Sequence, residues 1–222
     1  MADARRPLVI VGAGGHAREI HDIVLAIDAV APAWDVRGFA VESAYLPSPA
    51  VHGLPVFDLD DLAAAHAGAH VVVAIGEPAV RARIVARIDA MGPRSYATLV
   101  HPHASVGPRA VLAEGCVVFP GAVLTSDLVL GRHVHVNTAA SVSHDCRLAD
   151  FATLAPRVCC CGGVVIGRSA DIGAGAVLIP RVSVGDDAIV GAGATVIRDV
   201  PPATTAVGVP ARPLEKNKPP PP

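Results

Sequence analysis

The stretch Val142 to Leu148, VSHDCRL, sets a histidine, an aspartate and a cysteine side by side. Three chemistries are open to such a group: metal ligation, a Cys146 thiolate activated by a neighbouring base, or a base, His144, oriented by a carboxylate, Asp145. An imidazole is suited to the last role because it titrates near neutrality. A second chemical stretch opens the chain. In VIVGAGGHA, Gly12, Gly14 and Ala17 fit G-x-G-x-x-A after an apolar strand and before a helix, where free backbone N–H groups favour phosphate. Gly15 and His16 complete that loop. NAD is one ligand of such a turn, but the region looks too short for a double βαβ fold, and the acidic residue expected at the end of the second strand is represented only by Glu42.

The elements that must position these residues differ between the two ends. Over residues 1–100 strands and helices alternate. PLVIVG reads as a strand, and HAREIHDIVLAI carries Ile20, Ile23, Val24 and Ile27 at helical spacing. DVRGFAV reads as a second strand and DLDDLAAAHA as a helix opened by acids. HVVVAIG, EPAVRARIVARIDAMG and SYATLVHP complete the pattern as strand, helix and final strand, with Pro78 near the start of the helix and Gly92 beyond its end. The result is a small, Rossmann-like parallel α/β domain.

From Val106 the helical period gives way to a period of six. Every sixth residue up to Val196 is aliphatic except Cys160, and four residues after each comes another small or aliphatic one, from Ala110 to Val200. A sustained hexapeptide period is the signature of a β-helix in which each unit supplies one side and one corner of a triangular prism. Three units close a turn, so residues eighteen apart stack. The domain spans residues 101–214, and the tail, residues 215–222, ends in four prolines and reads as flexible.

This frame separates the residues of VSHDCRL. Val142, Cys146 and Leu148 occupy inward places, whereas His144 and Asp145 fall on a corner and point out. Gly162 lies eighteen residues after His144, on the same corner one coil along, and with Gly163 it bares backbone beside the base. An N–H there could receive an oxyanion. A surface histidine and a glycine that merely relaxes a tight corner remain the plainer alternatives. A cysteine nucleophile is disfavoured by the inward position of Cys146, and Cys159 to Cys161 read as packing around Cys160.

Composition narrows the class. Only 3% of the 222 residues are aromatic while 52% are apolar, so the interior must be filled by small aliphatic side chains. The formal net charge is -2 with no basic run, which argues against a nucleic-acid partner. The first apolar stretch is too short to span a bilayer and runs into a glycine turn, pointing to a cytoplasmic protein without membrane association. The five cysteines form neither C-x-x-C nor a disulfide framework, so no metal site is expected from them.

The hexapeptide stretch resembles the left-handed parallel β-helix of the hexapeptide-repeat acyltransferases. VIVGAGGHAREI, VAIGEPAVRARI, LVHPHASVGP, NTAASVSHDCRLADFATLAP and GVPARP resemble, in order, the sugar acetyltransferases that act on nucleotide-linked amino sugars or sialic acid. That resemblance implies a homotrimer with acetyl-CoA as cosubstrate, active sites between neighbouring prisms, and N-acetylation of a nucleotide-linked amino sugar. It places the base on His144, the orienting acid on Asp145 and the backbone donor on Gly162. The sugar nucleotide would meet Gly12, Gly14, Gly15, His16 and Asn137. CoA would meet Gly162, Gly173, Gly191 and Pro210 of GVPA, with Thr153 standing where relatives often carry a histidine near the thioester. Two other functions stay open, O-acetylation of sialic acid or a related sugar and a non-catalytic sugar-nucleotide scaffold. Some left-handed β-helices are metal-dependent carbonic anhydrases, but His133 and His135 lack the spacing of that ligand set.

Overall fold

The computed structural model describes residues 5–45 and 50–214, so the tail lies outside the described residues. The first domain contains β1 (Arg6–Val11), α1 (Gly15–Val30), β2 (Trp34–Val41), β3 (Ala50–Val51), β4 (Leu54–Asp58), α2 (Asp61–Ala65), β5 (His70–Val73) and α3 (Pro78–Ala90). Its sheet runs β3-β4-β2-β1-β5, parallel except for the β3–β4 hairpin. Leu8 and Ile10 bury against α1, while Val9 and Val11 turn to the other layer with Leu62 and Ile84. Alternation along β1 thus feeds two apolar layers, as a sheet covered on both faces requires.

Two elements depart from the sequence reading. The β3–β4 hairpin went unread because its apolar residues are few and broken by Gly53 and Pro55. The expected last strand is divided: Tyr96 makes a single bridge to Val71, and Leu99–Val100 instead pair with Val117–Val118 in the prism. The prism therefore begins a little before residue 101.

Three parallel sheets form the prism walls. The first includes Val123–Leu124, Ser141–Val142, Cys159–Cys160 and Val177–Leu178; the second Val129–Leu130, Arg147–Leu148 and Val165–Ile166; the third Val117–Val118, His135–Val136, Thr153–Leu154, Asp171–Ile172 and Ile189–Val190. Pairing follows the eighteen-residue rule throughout, as in Val142 with Cys160 and Leu148 with Ile166. The inward row is buried from Val118 to Val196, Cys160 included. Every corner from Gly115 to Gly193 carries a residue at positive φ, spaced by six, and most are not glycine: Asp127, His133, Ala139, Asp145, Phe151 and Arg157 are among them. An L-residue in that conformation costs about 1 kcal/mol or more, so the stacked ladder must hold it there. The N–H of Asp145 donates to Ser126 O at 3.2 Å, and that of Gly163 to His144 O at 2.8 Å.

The first domain covers the third wall. Arg81 of α3 has no exposed surface, and its five N–H donors reach His133 O (3.0 Å), Ile75 O (2.7 Å), Gly76 O (2.9 Å), Phe151 O (2.6 Å) and Thr153 Oγ1 (2.8 Å). Burial pulls its pKa down to about 9, against the attraction of Asp171. Arg81→Met leaves these acceptors dry and unpaired and should cost about 3–5 kcal/mol in urea unfolding. A loss below about 1 kcal/mol would show that the guanidinium does not hold the domains together.

Candidate active site

A cavity of about 430 Å³ opens at the carboxyl ends of β1, β2 and β5, bounded by Gly12, Gly14, Val41, Glu42, Ile75 and Arg83 among others. This is the switch point of the sheet, where β1 continues to β2 on one side and β5 joins on the other, and where ligands of open α/β sheets bind. Gly12 is required as glycine: its φ is 114°, and a Cβ would stand 2.9 Å from Ala74 O. At Gly14, the N-cap of α1, a Cβ would meet nothing within 4 Å, so the helix N-terminus is open to the cavity. Glu42 stands at the expected acidic position, but its carboxylate is already held by Arg83 (2.9 and 2.8 Å) and Arg87 (2.8 Å).

His16 leaves this cavity. It turns into the seam with the prism, stacked on Phe119 and with Nε2 3.0 Å from His135 Nδ1. Burial lowers the pKa of His16 and holds that of fully buried His135 well below normal. Asn137 is half-buried near the same seam and donates from Nδ2 to Leu154 O at 2.7 Å. Beside it, Thr138, Phe119, Pro120, His101 and Glu19 bound a smaller hollow of about 200 Å³. His133 is sandwiched away from solvent by Tyr96 and Phe151, and burial drops its pKa to about 3. His133 and His135 thus face different neighbours.

The other chemical group stands elsewhere. His144 and Asp145 occupy the edge between the first and second walls, each side chain 67% exposed, with His144 Nδ1 2.7 Å from Asp145 Oδ2. Asp145 has φ 63°, the corner conformation that returns its carboxylate to the preceding ring. With Nδ1 donating to that carboxylate, Nε2 is left free to accept a proton. The ring lies on Gly162: a Cβ there would stand 2.5 Å from Cε1 and 2.6 Å from Nε2. Cys146 is buried and donates to Cys161 O at 3.2 Å, and burial raises its pKa, so it is part of the wall.

The remaining residues divide between edges. Asn137, Gly173 and Gly191 share the edge between the third and first walls, and Gly191 is overlain by Val207. Pro210, after a cis bond, lies just beyond the Thr205–Val207 strand that caps the third wall. Thr153 is 6% exposed on the third wall, accepting from Arg81 and donating to Gly76 O at 3.2 Å. It therefore lies on the wall opposite its own chain's His144, not beside it.

Comparison with known proteins matches residues 7–88 to the family described as the PglD N-terminal domain. GDP-perosamine N-acetyltransferase of Escherichia coli O157:H7 is 35% identical over 150 residues, covering 65% of this chain and 67% of that one. The H-to-N variant structure of perosamine N-acetyltransferase from Caulobacter crescentus, in complex with CoA and GDP-perosamine, superimposes with a TM-score of 0.87 at 35% identity, covering 96% of this chain and 99% of that one. The acetyltransferase domain of PglB from Neisseria gonorrhoeae FA1090 does so with 0.84 at 32% identity, covering 95% and 100%. The chain belongs to the hexapeptide-repeat sugar acetyltransferases.

In this acetyltransferase the prism is the left-handed β-helix of the family. Sequence reasoning missed three features of this arrangement: the buried Arg81, the His16–His135 pair and the left-handed corner that aims Asp145. An arginine in an amphipathic helix reads as surface, and no local pattern joins residues 119 apart. The corner was legible in principle, since glycine recurs there at Gly115, Gly121, Gly163, Gly175 and Gly193.

Two outcomes are expected. Gly162→Ala displaces the His144 ring and, where that ring serves as the base, should lower kcat by about 100-fold with the fold intact; an unchanged kcat would show that turnover does not need the ring in this place. Glu42 has its pKa lowered from 4.5 to about 2, chiefly by the hydrogen bond from Arg83. A depressed carboxylate stabilises the fold above its unfolded pKa and loses that contribution as pH falls through the folded value. Melting temperature should accordingly fall more steeply from pH 4.5 toward pH 2 in the native chain than in Glu42→Gln.

Proposed function

We propose the following division of labour for the acetyl-CoA-dependent N-acetylation of a nucleotide-linked amino sugar. The cavity at Gly12 and Gly14 holds the nucleotide, with its phosphates at the N-terminus of α1. The sugar extends along the seam by His16 and Asn137 toward the third wall. His144, its tautomer set by Asp145, removes the proton from the attacking amine, and the Gly162 N–H receives the oxyanion of the tetrahedral intermediate. The nitrogen attacks the thioester carbonyl directly, CoA leaves as the thiol or thiolate, and no acyl-enzyme forms.

One observation carries the assembly. The domain that carries the cavity covers the third wall, while His144 stands on the edge opposite that wall, so one chain does not bring them together. A homotrimer does, if the His144 edge of one subunit faces the seam of the next. Exposed valines support such packing: Val111, Val129 and Val165 line the second wall, and Val123 and Val177 the first. CoA would then lie between Gly162 of one subunit and Gly173, Gly191 and Pro210 of its neighbour, with Thr153 behind the seam. Acetyl-CoA as cosubstrate and five free cysteines suit the cytoplasm. Among the described residues no helix is long and apolar enough to cross a membrane.

The GDP-perosamine complex of the Caulobacter relative favours an amino-sugar acceptor over a sialic acid hydroxyl. A CoA-release assay across nucleotide-linked amino sugars, with free sugars and hydroxyl acceptors as controls, tests this; turnover of hydroxyl acceptors alone would reverse it, and no release from any acceptor would leave a binding scaffold. Initial rates should be sequential, and parallel lines would sink the direct-attack mechanism. His144→Ala should lower kcat by about 100-fold or more with acetyl-CoA binding intact. Mixed trimers reassembled from His144→Ala and Gly12→Val chains, each inactive alone, should recover about a quarter of native activity, because a quarter of the shared sites draw both halves from unaltered chains. No recovery would place the whole site within one chain.

A further inference from the structure

A cluster outside this site has a chemistry of its own. His21 on α1, Asp22 beside it and His52 in the β3–β4 turn each direct one ligand atom into a common space, all within 4.8 Å of one another. His21 Nδ1 lies 3.0 Å from His52 Nδ1, and Asp22 Oδ1 lies 4.0 Å from the latter. Two imidazole nitrogens aimed at each other can share only one proton. The same separation suits a metal, because ligands 2.0–2.1 Å from a tetrahedral zinc stand about 3.3–3.4 Å apart. His21 is 6% exposed and set edge-on against Phe39, so its ring is fixed before any ion arrives. His52, at φ 49°, brings its ring back from the turn connecting the two outermost strands.

We propose that His21, Asp22 and His52 form a structural site for a borderline-soft divalent cation of the zinc class, with water as the fourth ligand. Two neutral nitrogens and one carboxylate match that ion better than magnesium or calcium, which prefer oxygen. The ion would tie the β3–β4 hairpin to α1. It would stand apart from His144 and supply no step of the acetyl transfer, so the site does not rest on the function proposed above. Its effect is on the outer sheet edge, where β4 leads into Leu59 at the nucleotide cavity, and on Asp22, which also borders the hollow beneath Thr138.

The test uses the untagged full chain, stripped with chelator and titrated with Co²⁺ as the spectroscopic stand-in for zinc. One ion per chain should give the intense visible absorption of a tetrahedral centre, be displaced by Zn²⁺ and raise the melting temperature. His52→Asn keeps a residue tolerant of positive φ and should weaken binding by about 100-fold or more, since lost outer-shell partners alone cost 10–100-fold. Asp22→Asn should weaken it by about tenfold. His103→Asn, in the separate His101–His103 pair, should leave it unchanged. Absence of the tetrahedral spectrum, or equal binding by the native chain and His52→Asn, would overturn the site.

Discussion

A buried guanidinium is the constraint on which the arrangement of this molecule depends. Removing an arginine from water is expensive unless every N–H finds an acceptor, and Arg81 meets that condition only where the loop after β5, two prism corners and one prism hydroxyl converge. Neither domain offers the full set alone. The demand for five acceptors therefore fixes how the first domain sits over the third wall, because hydrogen bonds are directional where apolar contact is not. It also accounts for Thr153: a hydroxyl that accepts from Arg81 and donates to Gly76 O completes the shell.

The prism imposes a second constraint. Its corners hold residues at positive φ in strict period, and the cost is met by the ladder that ties each corner to the coil before it. At one corner this geometry brings a carboxylate to an imidazole and leaves a glycine directly below. The same regularity puts that corner on the far side of the prism from the wall that the first domain covers. The corner pair and the cavity are thus built by separate rules, one by the period of the coil and the other by the switch point of the sheet.

Much of this was legible in the residues. The six-residue period sets the walls, the inward rows and the eighteen-residue stacking, and so places Gly162 under His144 and turns Cys146 into the core. The βαβ pattern and the glycine loop were equally clear. What escaped were contacts between segments distant in sequence. The β3–β4 hairpin lacks a run of β-formers, His16 pairs with His135 across 119 residues, and His21 meets His52 across 31. The final strand of the first domain reads as one element because SYATLV contains neither Gly nor Pro, yet its end, Leu99–Val100, hydrogen-bonds to the prism.

The sequence by itself determined the repeat, the inward and outward faces and the residues able to do acid–base chemistry, because periodicity records burial one residue at a time. Tertiary structure alone decided which wall the first domain covers, that Arg81 is buried there, and that His144 faces away from the cavity. Those outcomes depend on matching donors to acceptors between segments far apart in the chain, and no local pattern encodes such a match.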